Sequence, residues 1–296
     1  MPAALRNDRT RYPLPPSGAP LRVTFLGPLA TVGAHALHLP AGGVEPRFVD
    51  ARPGADARTL GAALRDTSPH VVVMLTPDVV PPDALAGLRA ATLAVASAGD
   101  APPDSSAFDR VLRLPGPGEA GRWRSRPLPV DDRLFAAARR PRRPPRALCL
   151  GRSTEHREWV LAPANHEHDV VHYAHGLTGT ALTDVLAATD IGIALHPGPV
   201  PGFPSQALVH LAAGQLLLSE RLAPQCGLEP GIDFLEIVST DGLLTMLHQL
   251  RLRPDAYDRV RVRGRLKAEG HRASRVWPRI IGDLLHDIRV FGTQRA

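Results

Sequence analysis

Residues Gly202 to Leu235 read GFPSQALVHLAAGQLLLSERLAPQCGLEPGIDFL, and the order of residue types in this stretch decides the fold. Pro204-Ser205 opens a helix of small and apolar residues that stops at Gly214. A serine at such an entry caps free backbone N–H groups, and a glycine just past the end accepts the left-handed turn. Gln215 to Ser219 is a short apolar run, as expected of a strand covered on both faces. The Gly- and Pro-rich piece Gly227 to Gly231 then turns the chain into a further strand, Phe234 to Val238. A helix, a buried strand and a turn in this order line the ligand crevice of an α/β domain.

The same alternation runs outward in both directions. Upstream, strands are expected at Ala147–Leu150, ending at Gly151, at Asp169–Tyr173 and at Ile191–Leu195, with a helix over Thr180–Ala188. Downstream, the chain from Asp241 is helical by periodicity, and Pro278 is expected near the start of the last helix or at a kink in it. In the first half, strands are expected at Leu21–Leu26, Arg47–Asp50, His70–Leu75 and Thr92–Ala96. Helices are expected around Thr31–Leu39, over Thr59–Arg65 and from Pro81 to Leu88. Strands alternating with helices imply parallel sheets covered on both faces, here two doubly wound Rossmann-like domains facing each other across a cleft.

Between the two halves, Arg126 to Pro145 ends in Arg139-Arg-Pro-Arg-Arg-Pro-Pro145, a run too rich in proline for regular structure. The expected organisation is a disordered leader over 1–20, a first Rossmann-like domain over 21–125 and a linker over 126–145. A second such domain over 146–274 follows, then a C-terminal helix over 275–296. The natural ligand site is the cleft, at the carboxyl ends of the strands.

Composition narrows the function classes. The chain has 296 residues, a formal net charge of +6 and a 44% hydrophobic fraction, with Lys267 as its only lysine. The basic residues are scattered rather than gathered into a stripe, which argues against nucleic acid and suits an anionic small molecule. The apolar runs are far too short to cross a bilayer, and the N-terminus lacks the apolar core of a secretory signal. Two cysteines, Cys149 and Cys226, make neither a disulfide framework nor a zinc site, which fits a reducing cytoplasm.

The second half resembles the nucleotide-sugar-binding domain of group-1 glycosyltransferases with the GT-B fold, and is especially similar to their spore-maturation-type branch. The resemblance runs from about Arg126 to Leu285 and rests on five pieces in the family's order: Pro129-Val-Asp-Asp-Arg-Leu-Phe135, Leu150-Gly151-Arg152, Pro204-Ser205 through Ala212-Ala213-Gly214, Leu218 to Leu222, and Gly227 to Gly231. It implies hexosyl transfer from a nucleotide diphosphate sugar to an unidentified acceptor, with retention of configuration, no metal and no further cofactor. It makes 21–125 the acceptor-side domain and 146–274 the nucleotide-sugar-binding domain, with the C-terminal helix over 275–296 crossing back to the first, and it implies donor-binding roles. Arg152 and Arg157 would clamp the diphosphate, two guanidinium groups placed where negative charge grows on the leaving group. Gly151 would close the strand beside them. Gly202 and Phe203 would form the loop over the donor, with Pro204 and Ser205 opening the helix whose N–H groups face it.

One departure from the family is plain. Many members carry two glutamates spaced E-x7-E around this helix, the second bonding the ribose; here the positions are Pro201 and Val209, which accept nothing through their side chains. The other reading is therefore a catalytically inactive GT-B-like protein that binds a nucleotide sugar or a partner glycosyltransferase. His196, at the end of a strand, His35, after the first strand, and Glu220, after the strand Gln215–Ser219, are further candidates for the cleft. Asn165-His-Glu-His-Asp169 with His172 and His175 lacks the spacing of a metal helix, so no metal site is expected. No residue can be assigned as the catalytic base. An oxidoreductase is excluded by the first strand's end, Gly27-Pro-Leu-Ala-Thr-Val-Gly33, where proline removes an N–H that a pyrophosphate would need.

Overall fold

A computed structural model of the protein describes residues 12–96, 108–116, 126–175 and 177–292. The chain divides into two compact units. One is built from the chain up to Leu114 together with the segment from Ala273, and the other holds Arg126–Arg272.

In the first unit, β1 (Leu21–Gly27), β2 (Val44–Asp50), β3 (Val71–Met74), β4 (Ala91–Ala96) and β5 (Arg110–Arg113) form one parallel sheet in the order β2-β1-β3-β4-β5. The inner strands β3 and β4 are buried at every residue, as a parallel sheet covered on both faces requires. Helices α1 (Leu29–His35) and α2 (Ala57–Asp66) follow β1 and β2. Asp56 caps α2 by accepting the Thr59 N–H at 2.8 Å.

Two features of this unit differ from the sequence reading. Pro81–Leu88 makes no α-helix, only the 3-10 turn Pro82–Leu85 preceded by Pro77–Val79. Strand β5 was not foreseen. It is anchored by Asp109, fully buried, whose carboxylate accepts the Thr92 N–H at 2.8 Å and the Thr92 hydroxyl at 2.9 Å. The expected disordered leader falls partly outside the described residues, which begin at 12. There the Tyr12 hydroxyl donates to the same Asp109 carboxylate at 2.6 Å.

The last helix, α8 (Ala273–Phe291), belongs to this unit by its contacts. Ala273, Trp277, Ile280, Ile281 and Leu284 form one buried stripe at helical spacing. Trp277 is fully buried, meets Phe25 of β1 edge-on at 5.2 Å and donates its indole N–H to the His35 carbonyl at 2.7 Å. Pro278 lies inside the helix near its start. The unit boundary falls between Arg272 and Ala273, two residues before the expected start of the C-terminal segment at 275.

The second unit holds β6 (Ala147–Leu150), α3 (Glu155–Glu167), β7 (Val170–Tyr173), α4 (Gly179–Ala187), β8 (Ile191–Ala194), α5 (Gln206–Ala212), β9 (Leu216–Ser219), β10 (Leu235–Glu236), α6 (Thr240–Leu252) and α7 (Asp258–Ala268). Its parallel sheet runs β10-β9-β8-β6-β7, so the direction of winding reverses between β8 and β6. Helix α3 went unread in the sequence because it contains Pro163 and no clean apolar stripe. It takes in Asn165, His166 and Glu167, the first residues of the histidine-rich run.

The segment Arg126–Pro145 has no long regular element, yet it is bound firmly to this second unit. Leu128, Val130 and Leu134 are buried, and the Phe135 ring lies 3.9 Å beneath the Arg272 guanidinium. Arg139 donates to the Leu186 and Thr189 carbonyls, and Arg142 pairs with buried Asp190 at 3.1 Å. Arg139 and Arg142 of the proline-rich run are thus engaged by carbonyl and carboxylate acceptors of α4 and the turn after it.

One close approach fixes the middle of the sheet. His210 of α5 is fully buried against Gly192 of β8, where an added Cβ would lie 2.3 Å from the imidazole Cγ. Only glycine leaves room for the ring. Its Nδ1 donates to the Gln215 side-chain oxygen at 2.6 Å, and the Gln215 amide donates to Thr189 Oγ1 at 2.6 Å.

Candidate functional site

The polar side chains of the second unit gather at the carboxyl edge of its sheet, around the reversal between β6 and β8. Ligands of open α/β sheets bind at such a point because the two adjoining loops part in opposite directions. β6 ends at Leu150, and Gly151 follows with φ +114°. A Cβ there would stand 2.8 Å from Arg157 Nη1, so glycine serves both the backbone angle and the guanidinium.

Arg157 fills the reversal point. It is only 5% exposed, and its guanidinium donates to the Leu195 carbonyl (Nη2, 2.8 Å), the His196 carbonyl (Nε, 3.2 Å) and the Arg152 carbonyl (Nη1, 2.7 Å). These are the carbonyls that β8 and β6 leave open as they end. Burial holds this guanidinium below its ordinary pKa, an effect opposed by the nearby Cys149 and Glu220. Burial also pushes the Cys149 thiol up to about 12, so it stays protonated. The expected clamp pair is therefore split. Arg157 ties the strand ends together, while Arg152 is exposed and its side chain makes no hydrogen bond or ion pair among the described residues.

Ser205 stands at the N-cap position of α5, but its side chain makes no capping hydrogen bond and its backbone is already helical. The expected cap is absent because the turn begins one residue earlier, the Ala207 N–H donating to the Pro204 carbonyl at 3.0 Å. Phe203 is turned inward, 8% exposed, and does not form a cover over the edge. Gly202 bridges to Leu222 in parallel fashion and its carbonyl accepts the Ala223 N–H at 3.0 Å. The Gly202–Ser205 loop is thereby pinned to the turn after β9.

Glu220 is the centre of a second group. Its Oε2 accepts the His196 backbone N–H at 2.6 Å, and its Oε1 accepts from His156 Nε2 at 2.7 Å. The carboxylate ties the loop after β8 to the first turn of α3. His196, 4% exposed, donates through Nε2 to the Arg221 carbonyl at 3.0 Å. Its side chain is spent within the protein. His35 belongs to the first unit, where it is 5% exposed at the end of α1.

The sequence reading missed His156, and it weighed His172 only as a metal ligand. His172, on β7, places Nε2 2.8 Å from the Gly151 carbonyl and Nδ1 3.4 Å from Glu158. His156 was invisible for want of α3: the pairing of a helix's first turn with a residue beyond β9 has no local signature. Thr154 caps α3 by accepting the Arg157 N–H at 3.3 Å. Of the two family glutamate positions, Pro201 is exposed and Val209 is buried, 2% exposed. Among the described residues no group of three or more His, Cys, Asp or Glu is placed to hold a metal, and no helix is long and apolar enough to cross a membrane. A cavity of about 220 Å³ opens at the opposite edge of the sheet, beside Ala147, His168 and Ile191, away from this cluster.

Two five-stranded parallel sheets with this winding recur in solved glycosyltransferases. AviGT4, a glycosyltransferase involved in avilamycin A biosynthesis, superposes with a TM-score of 0.59 at 14% identity, over 92% of this chain and 99% of its own. Anabaena HepE, solved with UDP and glucose, gives 0.55 at 10% identity over 90% and 100%. An alpha-glucosyltransferase solved with UDP-glucose and DNA containing an abasic site gives the same values. The chain has the GT-B fold of these enzymes. No protein-family model matches this GT-B chain, and no curated protein resembles it in sequence. At such low identity the likeness carries the fold, and function has to be argued from the residues.

Proposed function

We propose that the chain is a glycosyltransferase that moves a sugar from a nucleoside diphosphate sugar to an acceptor, with retention of configuration and without a metal. The observation that carries this reading is an exposed, unpaired Arg152 next to Gly151, at the carboxyl edge of the sheet where its winding reverses. A diphosphate leaving group gathers negative charge as the glycosidic bond breaks, and a guanidinium already placed there stabilises that state more than the bound donor. Arg157 keeps the supporting carbonyls fixed, which holds the Gly151–Arg152 turn in one geometry. The likeness to glycosyltransferases solved with UDP, or with UDP-glucose, supports the same substrate class.

A second reading is favoured by one specific observation. Val209 is buried and the Pro201 side chain has no acceptor, so neither side chain can hold a ribose hydroxyl, as an inactive sugar-nucleotide binder would allow. Thermal unfolding with UDP-glucose, GDP-mannose and dTDP-glucose separates the readings. Stabilisation by one of them with slow release of free sugar is the expected result; stabilisation without any turnover supports the binder. If none stabilises the protein, the donor site itself is refuted. R152A should leave the melting temperature of the free protein unchanged and abolish the ligand-induced rise.

A further inference from the structure

We propose that His156, held by Glu220, supplies the second positive contact to the donor diphosphate, in the place that Arg157 vacates by binding backbone carbonyls. The inference rests on the donor-site reading above and names a residue of that same site.

Three observations lead to it. First, the Arg157 guanidinium is committed to three carbonyls and is 5% exposed, so it has little to offer a ligand. Second, His156 sits in the first turn of α3, beside the end of β6, yet its Nε2 reaches Glu220 beyond β9, two strands away. Its ring therefore spans the end of β8, over the point where the winding reverses. Third, the histidine and glutamate side chains are 21% and 20% exposed, sheltered enough to be held and open enough to meet a ligand.

The carboxylate decides what the ring can do. Glu220 accepts a hydrogen bond from Nε2, so Nε2 carries a proton and Nδ1 is the nitrogen left for a ligand. A neutral ring shows Nδ1 as a lone pair, which repels a phosphate oxygen. A protonated ring shows Nδ1–H, which donates to it while Glu220 balances the second charge. Binding the diphosphate is thus linked to a proton on Nδ1. The titratable groups around the pair are Glu220 itself, Arg157 and Glu158 on the same helix, His172 on β7 beside Glu158, and His196, whose backbone N–H shares the Glu220 carboxylate. Of these side chains, Glu220 alone bonds the His156 ring.

The test is calorimetric titration of the full chain with whichever of UDP-glucose, GDP-mannose and dTDP-glucose stabilises it, at pH 6, 7 and 8. The phosphates of these sugars carry one charge each throughout that range, so a pH effect belongs to the protein. Affinity is expected to fall about tenfold from pH 6 to pH 8. Heats in two buffers of different ionisation enthalpy should show proton uptake at pH 8. H156Q should lose about tenfold at pH 6 and bind with no pH dependence, and H156K should bind equally well at every pH. If H156Q does not fold, H156K and the wild-type proton uptake decide the matter. A pH profile that persists in H156Q, or wild-type binding without proton uptake, overturns the inference and leaves the donor site standing. Absence of binding by the wild-type chain overturns the donor site first.

Discussion

Arg157 donates through Nη2 to the carbonyl of Leu195 at 2.8 Å, from a helix that follows β6 to the residue that follows β8. With its bonds to His196 and Arg152, this one side chain closes the gap that the reversal of winding opens between two neighbouring strands. Replacing it leaves three carbonyls without a donor in a dry place. R157A should therefore cost about 3 kcal/mol in a urea titration followed by circular dichroism. R157K keeps the charge but not the planar fork and should recover less than half of that loss. An R157A protein as stable as the wild type would show that these bonds count for nothing.

Gly192 and His210 form a lock of the same kind inside the sheet. G192A sets a methyl 2.3 Å from the imidazole Cγ and should destabilise by about 3 kcal/mol. Combined with H210A, the added methyl finds space, and the double variant should be more stable than the sum of the two single losses predicts. Simple additivity in the same unfolding assay would mean the two residues are not in contact.

His210 also sets a pH dependence. Burial, partly offset by its bond to Gln215, brings its pKa down to about 4 from the ordinary 6.5. In the unfolded chain the ring takes a proton as pH falls below 6.5, whereas in the folded protein it stays neutral down to about 4. The unfolded state binds more protons across that window, so stability drops as pH falls through it, by about 3 kcal/mol in total. Stability measured at pH 7 and at pH 4.5 should differ less in H210Q than in the wild type. An unchanged difference would assign the pH effect to other groups.

Trp277 holds α8 to the sheet of the first unit. W277A removes the contact with Phe25 and the bond to His35, and should cost about 4 kcal/mol. W277F keeps much of the packing and should lose about 1 kcal/mol, the share of the hydrogen bond. Equal losses for the two variants in denaturant midpoints would mean that the bond, not the ring, anchors the helix.

Much of this was legible in the chain. The runs Val71–Met74, Ile191–Ala194 and Leu216–Leu218 have no polar side chain and are too short for buried helices, as strands covered on both faces require. Positions of the exposed Arg152 and of Gly151 were readable too, because a strand end and a glycine are local features. Helix α3 and β5 were not. The first hides behind Pro163, and the second depends on Asp109 finding Thr92, seventeen residues away in sequence.

By itself, then, the sequence determined two parallel α/β sheets and the edge of the second sheet where charge gathers, because periodicity and glycine placement act over a few residues. Tertiary structure decided the roles within that edge. Arg152 and Arg157 look equivalent in sequence, but their neighbours differ: one meets water, the other three carbonyls from two strands. Likewise Glu220 and His156 acquire meaning only as a pair, since the bond between them crosses the end of a strand lying between theirs. A side chain's partners are set by which strand lies beside which, and no local pattern of residues encodes that order.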